Sequence, residues 1–61
     1  MTQDSENEAL ERLNLGLNLE KAGKVDEANQ AWRIAIEEGK ASGTDAGEEI
    51  AANAAFNLGL T

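Results

Sequence analysis

The segment Asn14-Leu15-Gly16-Leu17 recurs 43 residues later in the chain as Asn57-Leu58-Gly59-Leu60. Both copies lie in stretches rich in leucine, alanine and glutamate, which favour helices, and the interval between them has room for one more helix. A helix, an intervening helix and a return to the starting pattern are typical of a repeat made of helical hairpins. The sequence therefore predicts an all-α protein with one antiparallel helical hairpin and a third helix.

Glycine marks the end of the first predicted helix. Apolar residues with helical spacing begin near Glu8 and continue to Ala22, and Gly23 follows as a residue suited to a left-handed helix end. Residues 1–7 lack this periodicity and are polar and acidic, so we expect them to form a flexible amino-terminal segment. Residues 8–61 are the predicted folded unit.

The second and third helices are divided by another glycine. The second begins near Asp26 and ends at about Ser42, just before Gly43. The third begins at residue 44 or 45 and runs to about Leu60, and we find no stop signal within it. The predicted turns therefore lie near Gly23 and Gly43.

Charge and composition exclude several classes of function. Twelve acidic residues against five basic ones give a net charge of −7, which opposes binding to nucleic acids and to anionic membranes. No stretch approaches the 18 apolar residues of a membrane span, and the acidic start is unlike a secretory signal. These features predict a cytoplasmic protein without a nucleic-acid or membrane partner.

Catalytic chemistry has little support in the sequence. The chain has no histidine and no cysteine, which removes the commonest general base and the commonest soft metal ligands. The acidic pairs Glu37-Glu38 and Glu48-Glu49 are adjacent in sequence and point in different directions on a helix. We therefore predict that the protein is not an enzyme and holds no cofactor and no metal.

The first helix carries two apolar stripes. At 100° per residue the stripes lie on nearly opposite sides of the helix. One partner helix cannot cover both stripes, so the first helix is either packed between neighbours on both sides or leaves one stripe available to a ligand. The first stripe consists of Leu15, Leu19 and Ala22, and the second of Leu10, Leu13 and Leu17.

Residues 9–40 resemble a tetratricopeptide repeat (TPR), and residues 52–61 resemble the first helix of a second repeat, although the 43-residue spacing exceeds the usual 34. The resemblance implies that Gly16 and Ala28 let the hairpin close, with Trp32 as the buried aromatic residue. The residues that carry the resemblance are Asn14, Leu15, Gly16, Leu19, Lys21, Gly23, Asp26, Glu27, Ala28, Trp32 and Ala35.

The resemblance also implies a peptide-binding groove lined by the first helix of each repeat. Side-chain amides such as those of Asn14 and Asn57 both donate and accept hydrogen bonds, so they suit the backbone of an extended peptide. The alternative is that these two amides only bridge neighbouring helices. The implied groove residues are Leu10, Leu13, Asn14, Leu17, Lys21 and Asn57.

The third helix predicts self-association. Residues 50–61 contain no charged side chain, and Phe56 and Leu60 lie apart from the residues that pack on the hairpin. Exposed apolar residues of this kind mark interfaces, and a two-fold dimer is the common closed arrangement.

The predicted function is that of a TPR-like protein–protein interaction module, which binds a peptide or a second copy of itself. The alternatives are a structural scaffold that forms homo-oligomers and a fragment of a longer TPR protein that has no function alone. The predicted partners are thus a protein or peptide and a second copy in a homodimer.

Overall fold

Three helices account for almost all of the chain in a computed structural model, which describes residues 2–59 and the side chains of residues 4–59. They are α1 (Thr2–Lys21), α2 (Val25–Ala41) and α3 (Asp45–Leu58), joined by three-residue turns. No strand occurs between residues 2 and 59. The predicted all-α class, with a helical hairpin followed by a third helix, is confirmed.

Helix α1 begins earlier than the periodicity predicted, at Thr2 instead of near Glu8. Residues 2–7 contain neither glycine nor proline, and Asp4 in the first turn complements the positive end of the helix dipole. A helix therefore forms there without an apolar face to hold it against the core. The flexibility expected for residues 1–7 stays a prediction.

The turn after α1 has the hydrogen bonds of a Schellman motif. Gly23 has a φ of 82°, and its N–H donates to the carbonyl of Glu20 at 3.0 Å. The N–H of Lys24 donates to the carbonyl of Leu19 at 2.9 Å, so two carbonyls at the helix end are satisfied. The predicted stop at Gly23 is confirmed.

The turn between α2 and α3 is held by two hydroxyl groups. Gly43 is left-handed with a φ of 68°, and the hydroxyl of Thr44 accepts a hydrogen bond from the N–H of Gly47 at 3.0 Å. The buried hydroxyl of Ser42 donates to the carbonyl of Gly39 at 2.6 Å. Thr44 is therefore the N-cap of α3, and Ser42 ties the turn to the last turn of α2.

Helix α3 ends at Leu58, and the prediction that it runs to Leu60 without a stop signal was wrong. Gly59 has a φ of 80° and donates its N–H to the carbonyl of Phe56 at 3.0 Å. The two Asn-Leu-Gly segments thus have different structures: Gly16 lies inside a helix, whereas Gly59 ends one.

The core is small and consists mostly of alanine. Trp32 is its one large, nearly fully buried side chain among the described residues, with 2% of its surface exposed. Leu13, Ala28, Ala35 and Ala54 pack in one cluster with it, so all three helices contribute. Partly buried side chains complete the cluster, namely Leu19, Ile36, Ile50 and Leu58.

Helices α1 and α2 are in tight contact where Gly16 lies against the indole of Trp32. A Cβ atom added at Gly16 would lie 2.5 Å from Cδ1 and 2.8 Å from Cε2 of Trp32, closer than real Cβ atoms approach other atoms. The burial of Trp32 is confirmed, and it is this indole that fills the space beside Gly16. The indole N–H of Trp32 has no hydrogen-bond acceptor within the described part of the chain.

Candidate functional site

One side of α1 remains open to solvent, and it carries most of the predicted groove residues. Leu10 is 47% exposed and Leu17 is 37% exposed, while Asn14 and Lys21 are exposed as well. At 100° per residue these four side chains fall within about 60° of one another around the helix. We call this set of four residues the α1 face.

Leu13 does not belong to the α1 face, and its prediction as a groove residue was wrong. It is 8% exposed and packs in the core cluster with Trp32 and Ala54. The reason is that the centre of the buried side of α1 is formed by small residues, Ala9 and Gly16, which let the neighbouring helices approach closely. Leu13 lies beside this line and fills the space between the hairpin and α3.

The two predicted stripes on α1 are therefore the edges of one broad packing surface. Leu15, on the edge away from the α1 face, is 41% exposed. Leu17, on the edge that belongs to the α1 face, is exposed to a similar extent. Leu19 is half-buried against the core. Gly16 was expected at the hairpin contact from the resemblance, whereas Ala9 was missed because alanine adds little to an apolar pattern. The two residues are seven positions apart, which is two helical turns.

The remaining predicted groove residue, Asn57, is half-buried on α3. It lies about 120° around α3 from Ala51, whose Cβ lies next to Gly39 of α2. Asn57 is therefore on a side of α3 that does not face α2. Its participation in a groove with Asn14 stays a prediction.

The outer side of α3 presents Phe56, which is 72% exposed and is the most exposed of the large apolar side chains described. Ala54 on the opposite side is buried, and Ile50 and Leu58 pack against the core as their spacing predicted. Phe56 thus makes little contact with its own chain. Leu60, predicted to accompany it, lies outside the described residues.

A cleft of about 360 Å³ runs between α2 and α3. Near the turn the two helices touch through glycine: a Cβ added at Gly39 would meet the carbonyl oxygen of Gly47 and would lie 2.9 Å from Cβ of Ala51. Beyond that contact, short alanine side chains on α3 leave space above Ile36. The residues that line this α2–α3 cleft are Ile36, Lys40, Glu48, Ala51, Ala52 and Ala55.

Charges are unevenly distributed over the molecule. Asp45, Glu48 and Glu49 lie in the first two turns of α3, while residues 50–59 carry no charge. The ion pair between Glu8 and Arg12, at 2.8 Å, is the one ion pair between residues 4 and 59, and it is partly exposed. Lys40 and Glu48, which line opposite walls of the cleft, are therefore not paired with each other.

The described residues offer no group of three acidic, histidine or cysteine side chains that could surround a metal ion. Among residues 2–59 no helix is both long enough and apolar enough to cross a lipid bilayer. The surfaces that remain are the α1 face, Phe56 and the α2–α3 cleft.

Comparison of the sequence with protein-family models, curated proteins and solved structures gave no match in any of the three. The similarity to the TPR family therefore stays a prediction, carried by the residues of the hairpin.

Proposed function

We propose that the protein is a TPR-like protein–protein interaction module that binds an extended peptide along the α1 face. The observation that carries this proposal is the exposure of Leu10 and Leu17 on the same side of α1 as the amide of Asn14. Solvent-exposed apolar side chains beside an exposed amide are typical of a surface that a partner covers.

The α1 face offers two kinds of contact to a peptide. Leu10 and Leu17 lie seven residues apart, about 10 Å along the helix, and provide apolar contacts. Asn14 lies between them, and its amide can both donate to and accept from a peptide backbone. Lys21, one turn beyond Leu17, adds a positive charge for an acidic group of the partner. The surface therefore recognises backbone and apolar side chains more than a particular sequence.

The proposal is tested by selecting peptides from a displayed random library and then measuring their affinities for the protein and its variants. We expect Leu17→Ser to lower the affinity for the selected peptides roughly ten-fold. A half-exposed leucine that becomes buried in the complex contributes about 1 kcal/mol or more to the binding free energy. Leu15→Ser is the matched control, because Leu15 has similar exposure on the other edge of α1. The control is expected to change affinity less than about two-fold.

The result that contradicts the proposal is an equal effect of the two variants, or the selection of no peptide at all. Circular dichroism of both variants shows whether either loses helix, which separates a binding defect from unfolding.

A second candidate function, self-association, is favoured by Phe56. An aromatic side chain that is 72% exposed on an uncharged stretch of α3 is suited to burial against another chain. This candidate uses a different helix from the α1 face, so the two functions are compatible.

A further inference from the structure

The α2–α3 cleft and Phe56 lie side by side but do not fill each other. Phe56 is one helical turn beyond Ala52, which lines the cleft, yet its own ring points outward and is 72% exposed. The cleft is thus an open apolar space, and its neighbour is an aromatic side chain that makes little contact with its own chain.

The charge distribution indicates what the cleft accepts. The whole chain carries −7, so a second copy is repelled over most of the surface. The cleft contains one positive residue, Lys40, and one negative residue, Glu48, and residues 50–59 of α3 contain no charge. Two copies therefore meet with least repulsion here, and an uncharged side chain is the favoured occupant.

We propose that Phe56 of one copy occupies the α2–α3 cleft of a second copy, in a two-fold dimer with two identical insertions. A two-fold axis brings each copy's Phe56 to the other's cleft, so one self-complementary surface serves both chains. This inference rests on the second candidate function, self-association through Phe56, and it names the surface of the second copy that Phe56 contacts.

The surface area buried by the proposed insertions is that of a small interface. A fully exposed phenylalanine side chain presents roughly 150–250 Å², and most of that area is available here. Two insertions and their rims bury less than about 1,200 Å² in total, the range of weak and transient pairs. The dimer is therefore expected to be weak and transient.

The first experiment is sedimentation equilibrium from about 10 µM to about 1 mM, a range that spans weak association. We expect the average mass of the unmodified protein to rise from that of one chain towards twice that value. Phe56→Asp is expected to weaken association roughly ten-fold or more, as loss of a central aromatic anchor does. Because Phe56 is exposed, the variant should keep its helix content.

Val25→Asp is the matched control for charge. Val25 is 54% exposed at the start of α2, about 16 Å along that helix from Ile36. The substitution adds the same charge without touching the cleft and should change association less than about two-fold. A mass that stays at one chain up to about 1 mM, or equal effects of the two variants, would overturn the proposal.

A mixing experiment tests the insertion itself. Phe56→Lys removes the ring, and Ala52→Asp places a charge in the cleft, so each variant alone should associate poorly. In a mixture, the introduced lysine of one copy meets the introduced aspartate of the other, while the remaining Phe56 enters an unmodified cleft. We expect the mixed pair to bind roughly three- to five-fold tighter than Phe56→Lys mixed with the unmodified protein. An absence of this recovery would contradict reciprocal insertion.

Salt concentration distinguishes a second copy from a basic partner. Raising the salt concentration screens repulsion between two acidic chains and should strengthen self-association, whereas it would weaken binding of a positively charged protein. Self-association that weakens with salt would contradict the proposed interface. Failure of the dimer leaves peptide binding at the α1 face intact, and Leu17→Ser should leave the dimer unchanged, so the two proposals fail separately.

Discussion

Replacing Gly16 with alanine tests how the hairpin is held together. Alanine is the better helix former by about 1 kcal/mol, so at an exposed position the change would stabilise α1. At position 16 the new Cβ would lie 2.5 Å from Cδ1 of Trp32, and Trp32 is buried. A rigid indole in the core cannot rotate away as the end of a flexible side chain would, so the helices must separate.

The magnitude follows from these two opposing effects. Overpacking of a core by one carbon costs about 1–3 kcal/mol, and the gain in helix propensity offsets about 1 kcal/mol of it. We therefore expect Gly16→Ala to lower the free energy of unfolding by about 0–2 kcal/mol, and Gly16→Val to lower it further because valine is larger and β-branched. In a domain of this size, 1 kcal/mol corresponds to about 4–8 °C in Tm.

Thermal and urea unfolding followed by circular dichroism measure the effect. Asn18→Ala, an exposed change on the same helix, is the control and should stabilise the protein by a few tenths of a kcal/mol. Combining Gly16→Ala with Trp32→Phe should recover about 0.5 kcal/mol or more relative to the sum of the single changes. The reasoning is refuted if Gly16→Ala raises Tm as Asn18→Ala does.

Three further changes have defined expectations. Thr44→Ala removes the N-cap of α3 and should cost about 1 kcal/mol in urea unfolding, and an unchanged midpoint would show that the cap contributes nothing. Gly39→Ala should cost about 0–2 kcal/mol, because its Cβ meets the backbone of α3 while the gain in helix propensity offsets about 1 kcal/mol; a rise in Tm would contradict this contact. Glu8→Gln breaks the exposed ion pair with Arg12 and should cost under about 0.5 kcal/mol, so a larger loss in Tm measurements would show that the pair is more than a surface contact.

The positions of the two turns were predictable from the sequence, since each is formed by local interactions. Gly23 and Gly43 both have positive φ values, which glycine adopts without strain. The residues near them supply the remaining hydrogen bonds, and Thr44, one of the two residues at which α3 was expected to begin, is its N-cap. The burial of Trp32 was also predictable, because it is the single large aromatic side chain on a face of α2 that is otherwise formed mainly by alanines.

The division of α1 into buried and open sides was not predictable from periodicity alone. Leucines mark both edges of the packing surface, whereas its centre is formed by Ala9 and Gly16. Which edge becomes buried depends on where α3 lies, and α3 is in tight contact with α2 at Gly39 and Gly47. Leu13 was assigned to the groove by the TPR resemblance, although it packs in the core.

The end of α3 was also not predictable from the repeated sequence pattern. The Asn-Leu-Gly segment has the same residues in both copies, but Gly16 lies inside α1 against the buried ring of Trp32. Gly59 has open space around it and adopts the left-handed conformation at the end of α3. The shared segment alone therefore does not determine whether its glycine continues a helix or ends one.

The central claim is that the α1 face binds a peptide, and amide chemical-shift mapping by NMR tests it most directly. The isotope-labelled protein would be titrated with the tightest peptide from the displayed library. We predict that the largest shifts occur around Leu10, Asn14 and Leu17 and that those around Leu15 stay small. Shifts centred on Leu15 or on the outer side of α2, or no saturable shifts at all, would contradict the account.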